Sequence, residues 1–192
     1  MNILILLGMP GAGKTTQSLL IKDRLNYAHL STGDIIREEI ENATELGIKY
    51  KDLIAMGEFV SDKIIMEFIE NRLKAGSDLP GFIFDGFPRT LEQAKLFDGL
   101  AEKMDLMPLQ IIALFVTEGE AVNRLLKRSE TSGRKDDNRE TIGKRIEIFY
   151  ERTDPVIEYY ADSGRLNITD GMLPVDAVFS HVLSITSADS FI

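Results

Sequence analysis

Lys14 stands in the run GMPGAGKTTQ, residues 8 to 17, directly after the apolar start MNILILL. The spacing fits G-x-x-x-x-G-K-[ST], a loop whose backbone N–H groups hold a phosphate chain. Gly8, Gly11 and Gly13 let the backbone turn tightly and come close to phosphates with no Cβ in the way. The helix that follows adds partial positive charge and free N–H donors at its N-terminus. Lys14 can reach β- and γ-phosphates, and Thr15 or Thr16 can offer a hydroxyl near Mg2+. The bland rival is a glycine-rich strand-to-helix turn carrying a surface lysine. Asp85 ends the apolar run FIF in FIFDGFPRT. An aspartate there helps hold the metal in phosphate-loop proteins, whereas elsewhere a strand-end aspartate often only caps a turn.

Moving a phosphoryl group needs donors on its three equatorial oxygens and neutralisation of the flanking phosphates. Arg37, Arg89, Arg124, Arg128, Arg134 and Arg145 are the candidates. Arg124 and Arg128 are four apart on one expected helix and project from one face. The 192-residue chain has 31 acidic and 22 basic residues, a formal charge of −9. That balance argues against non-specific binding to nucleic acid or to an anionic membrane. A polyphosphate ligand therefore requires positive charge gathered locally, which makes the arginine positions informative. Taken one at a time, each arginine is more readily a solvated surface residue.

The elements that must hold these groups read as α/β. Ile3–Leu7, Phe82–Phe84, Gln110–Val116 and Leu166–Ile168 are short apolar runs of buried-strand type. Between them lie helical patterns. In VSDKIIMEFIENRLKAG, Ile64, Ile65, Phe68, Ile69 and Leu73 recur at helical spacing, with Ser61 as N-cap and Gly76 as stop. TLEQAKLFDGLAEKM opens with a capping box of Thr90 and Gln93. RETIGKRIEIFYERTD puts Ile142, Ile146 and Phe149 on one face, and Pro155 should end or kink that helix. PVDAVFSHVLSIT makes a last helix that tolerates Pro174 in its first turn. Alternating strands and helices imply a mostly parallel sheet covered on both faces, a three-layer phosphate-loop fold in a single core domain. The polar stretch RSETSGRKDDNRE, residues 128 to 140, reads as an exposed loop between two helices.

No cysteine is present, which removes disulfides and thiolate metal sites. No apolar run approaches the roughly 20 residues of a membrane span. The start lacks a basic n-region and a small-residue cleavage site, so it reads as a strand, and the cytoplasm is the expected compartment.

GMPGAGKTTQ, LSTGDIIR, DGFPRTLEQA, SETSGRKDDNRETIGKR and YERTDPVIEYY, in this order and spacing, resemble the adenylate kinases of the short-lid type, within the nucleoside monophosphate kinase family. The resemblance runs over residues 1 to 185, and DGFPRT together with STGD is far more specific than the phosphate loop. It implies a helical AMP-binding insertion at residues 31 to 60 and a short lid at about 129 to 139. Gly11, Ala12, Gly13, Lys14, Thr15 and Thr16 would bind the ATP phosphates, with Arg128 beside them. Arg124 would stack on the ATP adenine, and the backbone of Leu173 in DGMLPV would meet its edge. Thr32, Arg37, the backbone of Glu58, Phe59 and Val60, then Gly86, Phe87, Pro88, Arg89 and Gln93 would bind AMP. Arg134 and Arg145 would close over the transferred group, so that Lys14, Arg89, Arg128, Arg134 and Arg145 carry catalysis. Mg2+ would sit near Thr15, Thr16 and Asp85, directly or through water; no zinc is expected.

Rival local roles stand beside these. Gln93 could be spent on its capping box, Thr32 and Asp34 on capping the helix IIREEIEN, and Phe59 and Val60 on the core. The family pattern has glycine after the lysine where this chain has Thr15, a hydroxyl that either serves the metal or crowds the loop. The implied reaction is ATP plus AMP giving two ADP, by a monomer with only nucleotides as partners. A UMP/CMP kinase of the same fold is the nearest alternative, disfavoured because its pattern resembles SAGD rather than STGD. An ATP-binding switch or assembly protein with little turnover is the alternative from another class.

Overall fold

The computed structural model describes residues 1–32, 38, 41–44, 47–48, 61–106, 109–132 and 138–188. β1 (Asn2–Leu7) leads through the phosphate loop into α1 (Lys14–Leu25), and β2 (Ala28–Ser31) follows. α2 (Asp62–Ala75), β3 (Gly81–Asp85), α3 (Leu91–Lys103) and β4 (Leu109–Phe115) continue the alternation. α4 (Glu118–Ser132) and α5 (Arg139–Ile148) then precede a π-turn at Phe149–Thr153, α6 (Asp154–Asp162), β5 (Leu166–Asp170) and α7 (Val175–Ala188).

The strands form one parallel sheet in the order β2-β3-β1-β4-β5. β1 lies at its centre, and Ile3 to Leu7 are essentially without solvent contact. Such a strand needs no alternation, since both faces are covered. Ile3, Ile5, Phe82, Phe84 and Ile111 meet α2, α3 and α6 through Phe68, Ile69, Phe97, Val156 and Tyr160. Leu4, Leu6, Ile83, Ile112 and Leu114 meet α1 and α7 on the other side through Ile21, Val178 and Val182. This is the three-layer architecture the alternation predicts. Among the described residues no helix is long and apolar enough to cross a membrane.

Four local expectations change. The strand β2 was not expected, because AHLS is short and mixed in polarity; it pairs with β3 alone as an edge strand, so only half of it needs to be apolar. Residues 128 to 132 belong to α4 rather than to a loop. Within α4 the Ser129 hydroxyl turns back onto the Leu126 carbonyl at 2.6 Å instead of breaking the helix. The capping box is half made: Thr90 Oγ1 accepts from the Gln93 N–H at 3.1 Å, but the Gln93 side chain reaches past Thr90 to the Arg89 N–H at 2.8 Å. Ser61 stands at the α2 N-cap without a side-chain cap bond.

Pro155 follows the π-turn at Phe149–Thr153 that separates α5 from α6. It falls in the first turn of α6, where its missing N–H is tolerated, and the Asp154 N–H reaches back five residues to the Phe149 carbonyl. The wider turn rotates the buried stripe. Ile142 and Ile146 pack against Leu125 of α4, whereas Val156 and Tyr160 belong to the core under α3. Asp98 of α3 locks this arrangement, accepting from Tyr159 Oη at 2.8 Å and from Arg165 Nη2 at 2.6 Å.

Candidate active site

In an open parallel sheet, ligands bind outside the carboxyl ends of the strands, where the phosphate loop follows β1 and Asp85 to Arg89 follow β3. β1 delivers the phosphate loop. Gly11 has φ +87, and a Cβ on it would lie 2.6 Å from the Ala121 carbonyl of α4. The requirement for glycine at that position thus comes from α4 as much as from a ligand. Gly13, φ +95, faces open space within 4 Å.

Lys14 opens α1 and folds back over the loop, its Nζ donating to the Gly8 carbonyl at 2.6 Å and the Met9 carbonyl at 3.0 Å. Burial pushes its pKa down to about 8. Asp85 opposes that shift, while the charges of Arg89, Arg145 and Arg128 add to it. Those three guanidinium groups, which come from the segment after β3, from α5 and from α4, therefore converge on the lysine. A polyphosphate would relieve their mutual repulsion.

Asp85 ends β3 beside the loop. Thr15 Oγ1 donates to its Oδ2 at 2.6 Å, and His29 Nε2 of β2 lies 3.5 Å from the same oxygen. Burial would raise the Asp85 carboxyl, but the His29 and Thr15 contacts and the Lys14 charge outweigh it and hold it below the ordinary value. Hydroxyl and carboxylate oxygens together are the hard donors Mg2+ takes, so this pair fits the ion. Thr16 is exposed one residue further on, and no contact ties it to Asp85. Among the described residues no group of three or more His, Cys, Asp or Glu side chains stands together as a metal site.

The expected adenine segment docks onto this loop. The Gly171 N–H donates to the Phe115 carbonyl at 2.7 Å, and Gln17 Nε2 of α1 donates to the Val175 carbonyl at 3.1 Å. Leu173 lies exposed between those two tethers. Arg124 is held by Glu120 at 2.7 Å on its own helix, one turn before Arg128.

On the acceptor side, Thr32 is buried just past β2, whose Ser31 is level with Asp85. Arg89 is fixed from three directions. Its N–H donates to Gln93, its Nε donates to the Gly86 carbonyl at 2.7 Å, and its carbonyl accepts from Thr153 Oγ1 of the π-turn at 3.0 Å. Phe87 is fully buried against Phe84 and Phe97, so only its backbone is open to a ligand, and Pro88 is buried beside it. Arg37, Glu58, Phe59, Val60 and Arg134 lie outside the described residues, as do most of residues 31 to 60 and the centre of the lid. Sequence reasoning missed His29, Gln17, Asp62 and Thr153. The one visible signal was a histidine two residues ahead of STGD.

A strand, glycine loop, lysine and helix beside a strand-end aspartate define a phosphate-loop nucleotide-binding protein, and the converging arginines mark one that handles a mobile phosphoryl group. The model of the adenylate kinase family matches residues 6–165. Named adenylate kinases are similar over nearly the whole chain. That of Xanthomonas campestris is 38% identical over 179 residues, 93% of this chain and 96% of its own length. That of Stenotrophomonas maltophilia is 38% identical, covering 96% and 99%, and that of Thermus thermophilus is 39% identical, covering 93% of each. The chain belongs to the adenylate kinase family.

Proposed function

We propose that this enzyme transfers the terminal phosphoryl group of ATP reversibly to AMP, giving two ADP, in a Mg2+-assisted in-line reaction. The observation that carries the reading is Lys14 folded over the glycine loop beside the Thr15–Asp85 pair, with the charges of Arg89, Arg128 and Arg145 acting on that lysine, in a chain whose net charge is −9. The ATP phosphates lie along Gly11 to Thr16, with Lys14 leaving the Gly8 and Met9 carbonyls for the β- and γ-oxygens. Arg124 and Leu173 flank the adenine of ATP. AMP is bound by Thr32, Arg37, the backbone of Glu58 to Val60, Gly86 to Arg89 and Gln93.

Catalysis here is positioning and charge stabilisation, with no covalent enzyme intermediate. Arg89, already held by its own N–H, Nε and carbonyl, presents a guanidinium with little reorganisation left to make. Arg128 and Arg145, with Arg134 from the lid, neutralise charge as it spreads over the migrating group. Thr15 and Asp85 would hold Mg2+, directly or through water, with Thr16 near the phosphates; the ion would supply neutralisation of phosphate charge. Flap and lid exclude water, the competing acceptor. The enzyme acts as a monomer in the cytoplasm, with nucleotides as its only partners.

A coupled assay of ATP with AMP, UMP, CMP or GMP tests this. Rapid ADP formation with AMP is expected. Preference for UMP or CMP would make it a pyrimidine nucleotide kinase, and no ADP with any acceptor would leave an ATP-binding switch.

A further inference from the structure

Gln93 has both ends of its carboxamide occupied, and the partners leave only one way round for it. Its Oε1 accepts from the Arg89 N–H at 2.8 Å, and its Nε2 donates to Asp62 Oδ1 at 2.7 Å. Turned over, the amide would set N–H against N–H at one end and two oxygens against each other at the other. Asp62 is itself held, since its Oδ2 accepts from Thr90 Oγ1 at 3.1 Å. Gln93 is buried, so water is not a ready substitute for either partner. Asp62 is the first residue of α2, immediately after the segment expected to cover AMP.

Each end of the fixed amide keeps one unused position, a second Nε2 hydrogen and a second Oε1 lone pair. A carboxamide so presented matches a 6-aminopurine, whose amino group donates and whose N1 accepts. A 6-oxopurine carries the mirror pattern, O6 accepting and N1–H donating, and matches the same amide only when it is turned over. We infer that Asp62 is a specificity-determining positioning residue: by fixing, together with the Arg89 N–H, which end of Gln93 is donor and which acceptor, it sets the acceptor site for a 6-aminopurine nucleotide against a 6-oxopurine one. The inference rests on the proposal that Gln93 contacts AMP.

The test compares AMP with IMP, which differ at this edge of the base. Wild type and Asp62→Asn are measured by calorimetric binding of each nucleotide, which needs no turnover, and by kcat/KM for each as acceptor of ATP. An asparagine at 62 offers either a donor or an acceptor, so the Nε2 end of Gln93 loses its fixed acceptor and the Arg89 N–H alone holds the amide. The AMP-to-IMP preference is expected to fall at least about tenfold, a shift of about 1.4 kcal/mol, and Asp62→Glu to restore much of it. A preference within twofold of wild type overturns the inference, including the case where both nucleotides weaken by the same factor, as a merely structural role for Asp62 would give. If Asp62→Asn does not fold, Thr90→Val, which frees Asp62 from its other side, is read against the same criterion. Wild type that binds AMP in preference to IMP but forms no ADP would refute the proposed reaction and leave this inference standing.

Discussion

Lys14 offers the most direct test of the charge arrangement. In the free enzyme its pKa is pushed down to about 8, first by burial and then by three arginines. Placing phosphates against it adds negative charge to that of Asp85, so binding should return its pKa towards the ordinary lysine range. At pH 8 about half of the free enzyme carries a neutral Lys14, and binding ADP there should take up about half a proton, rising to about 0.9 at pH 9. The corresponding affinity loss between pH 7 and pH 9 is about tenfold, since the competent fraction drops from about 0.9 to about 0.1. The sign for stability is the reverse. The unfolded lysine titrates near 10.5, above the folded value, so the unfolded chain binds more protons between pH 8 and 10.5. The ligand-free enzyme therefore gains stability from this group as pH rises through that window. Calorimetry of ADP binding without divalent metal, at pH 8 in buffers of differing ionisation enthalpy, reads the proton count directly, well clear of the phosphate ionisation at about 6. Lys14→Met should abolish the uptake. A wild-type binding enthalpy independent of buffer would refute the argument.

Two further expectations follow from neighbouring contacts. Arg89→Ala should lower kcat by about 10²- to 10³-fold with the thermal midpoint almost unchanged, because the guanidinium is exposed and contributes to the transition state rather than to the core; near-normal turnover would remove Arg89 from catalysis. Thr15→Gly loses the bond to Asp85 and places glycine in the first turn of α1, together about 2 kcal/mol or about 4–8 °C in thermal midpoint. The variant should also need more Mg2+ for half-maximal rate; a faster variant with unchanged metal demand would mean that the hydroxyl only crowds the loop.

Much was legible in the chain alone. MNILILL, FIF and IIALF are runs that water excludes whatever their partners, so the buried strands and the layered sheet followed from hydrophobicity and alternation. GMPGAGKTTQ with DGFPRT carried the phosphate loop and its aspartate, because both are local: a tight turn, a helix N-terminus and a strand end lie within a few residues of each other. Local reasoning failed where a residue's role depends on what another segment brings. AHLS is a strand only because β3 offers it a free edge. Pro155 signals an interruption, but that a π-turn at Phe149–Thr153 joins the two helices was not readable from the chain. Gln93 closes no complete capping box, because its carboxamide bridges the Arg89 N–H and the Asp62 carboxylate instead.

The sequence by itself determined the fold class, the phosphate loop and the kind of group it holds, since those depend on spacing within single segments. Only the tertiary structure decided which hydroxyl meets Asp85, which arginines press on Lys14 and which way Gln93 faces. Thr15 and Asp85 are 70 positions apart, and Gln93 and Asp62 are 31 apart. Hydrogen bonds and charge interactions act over a few ångströms of space, and no pattern along the chain states that distance until the sheet has closed it.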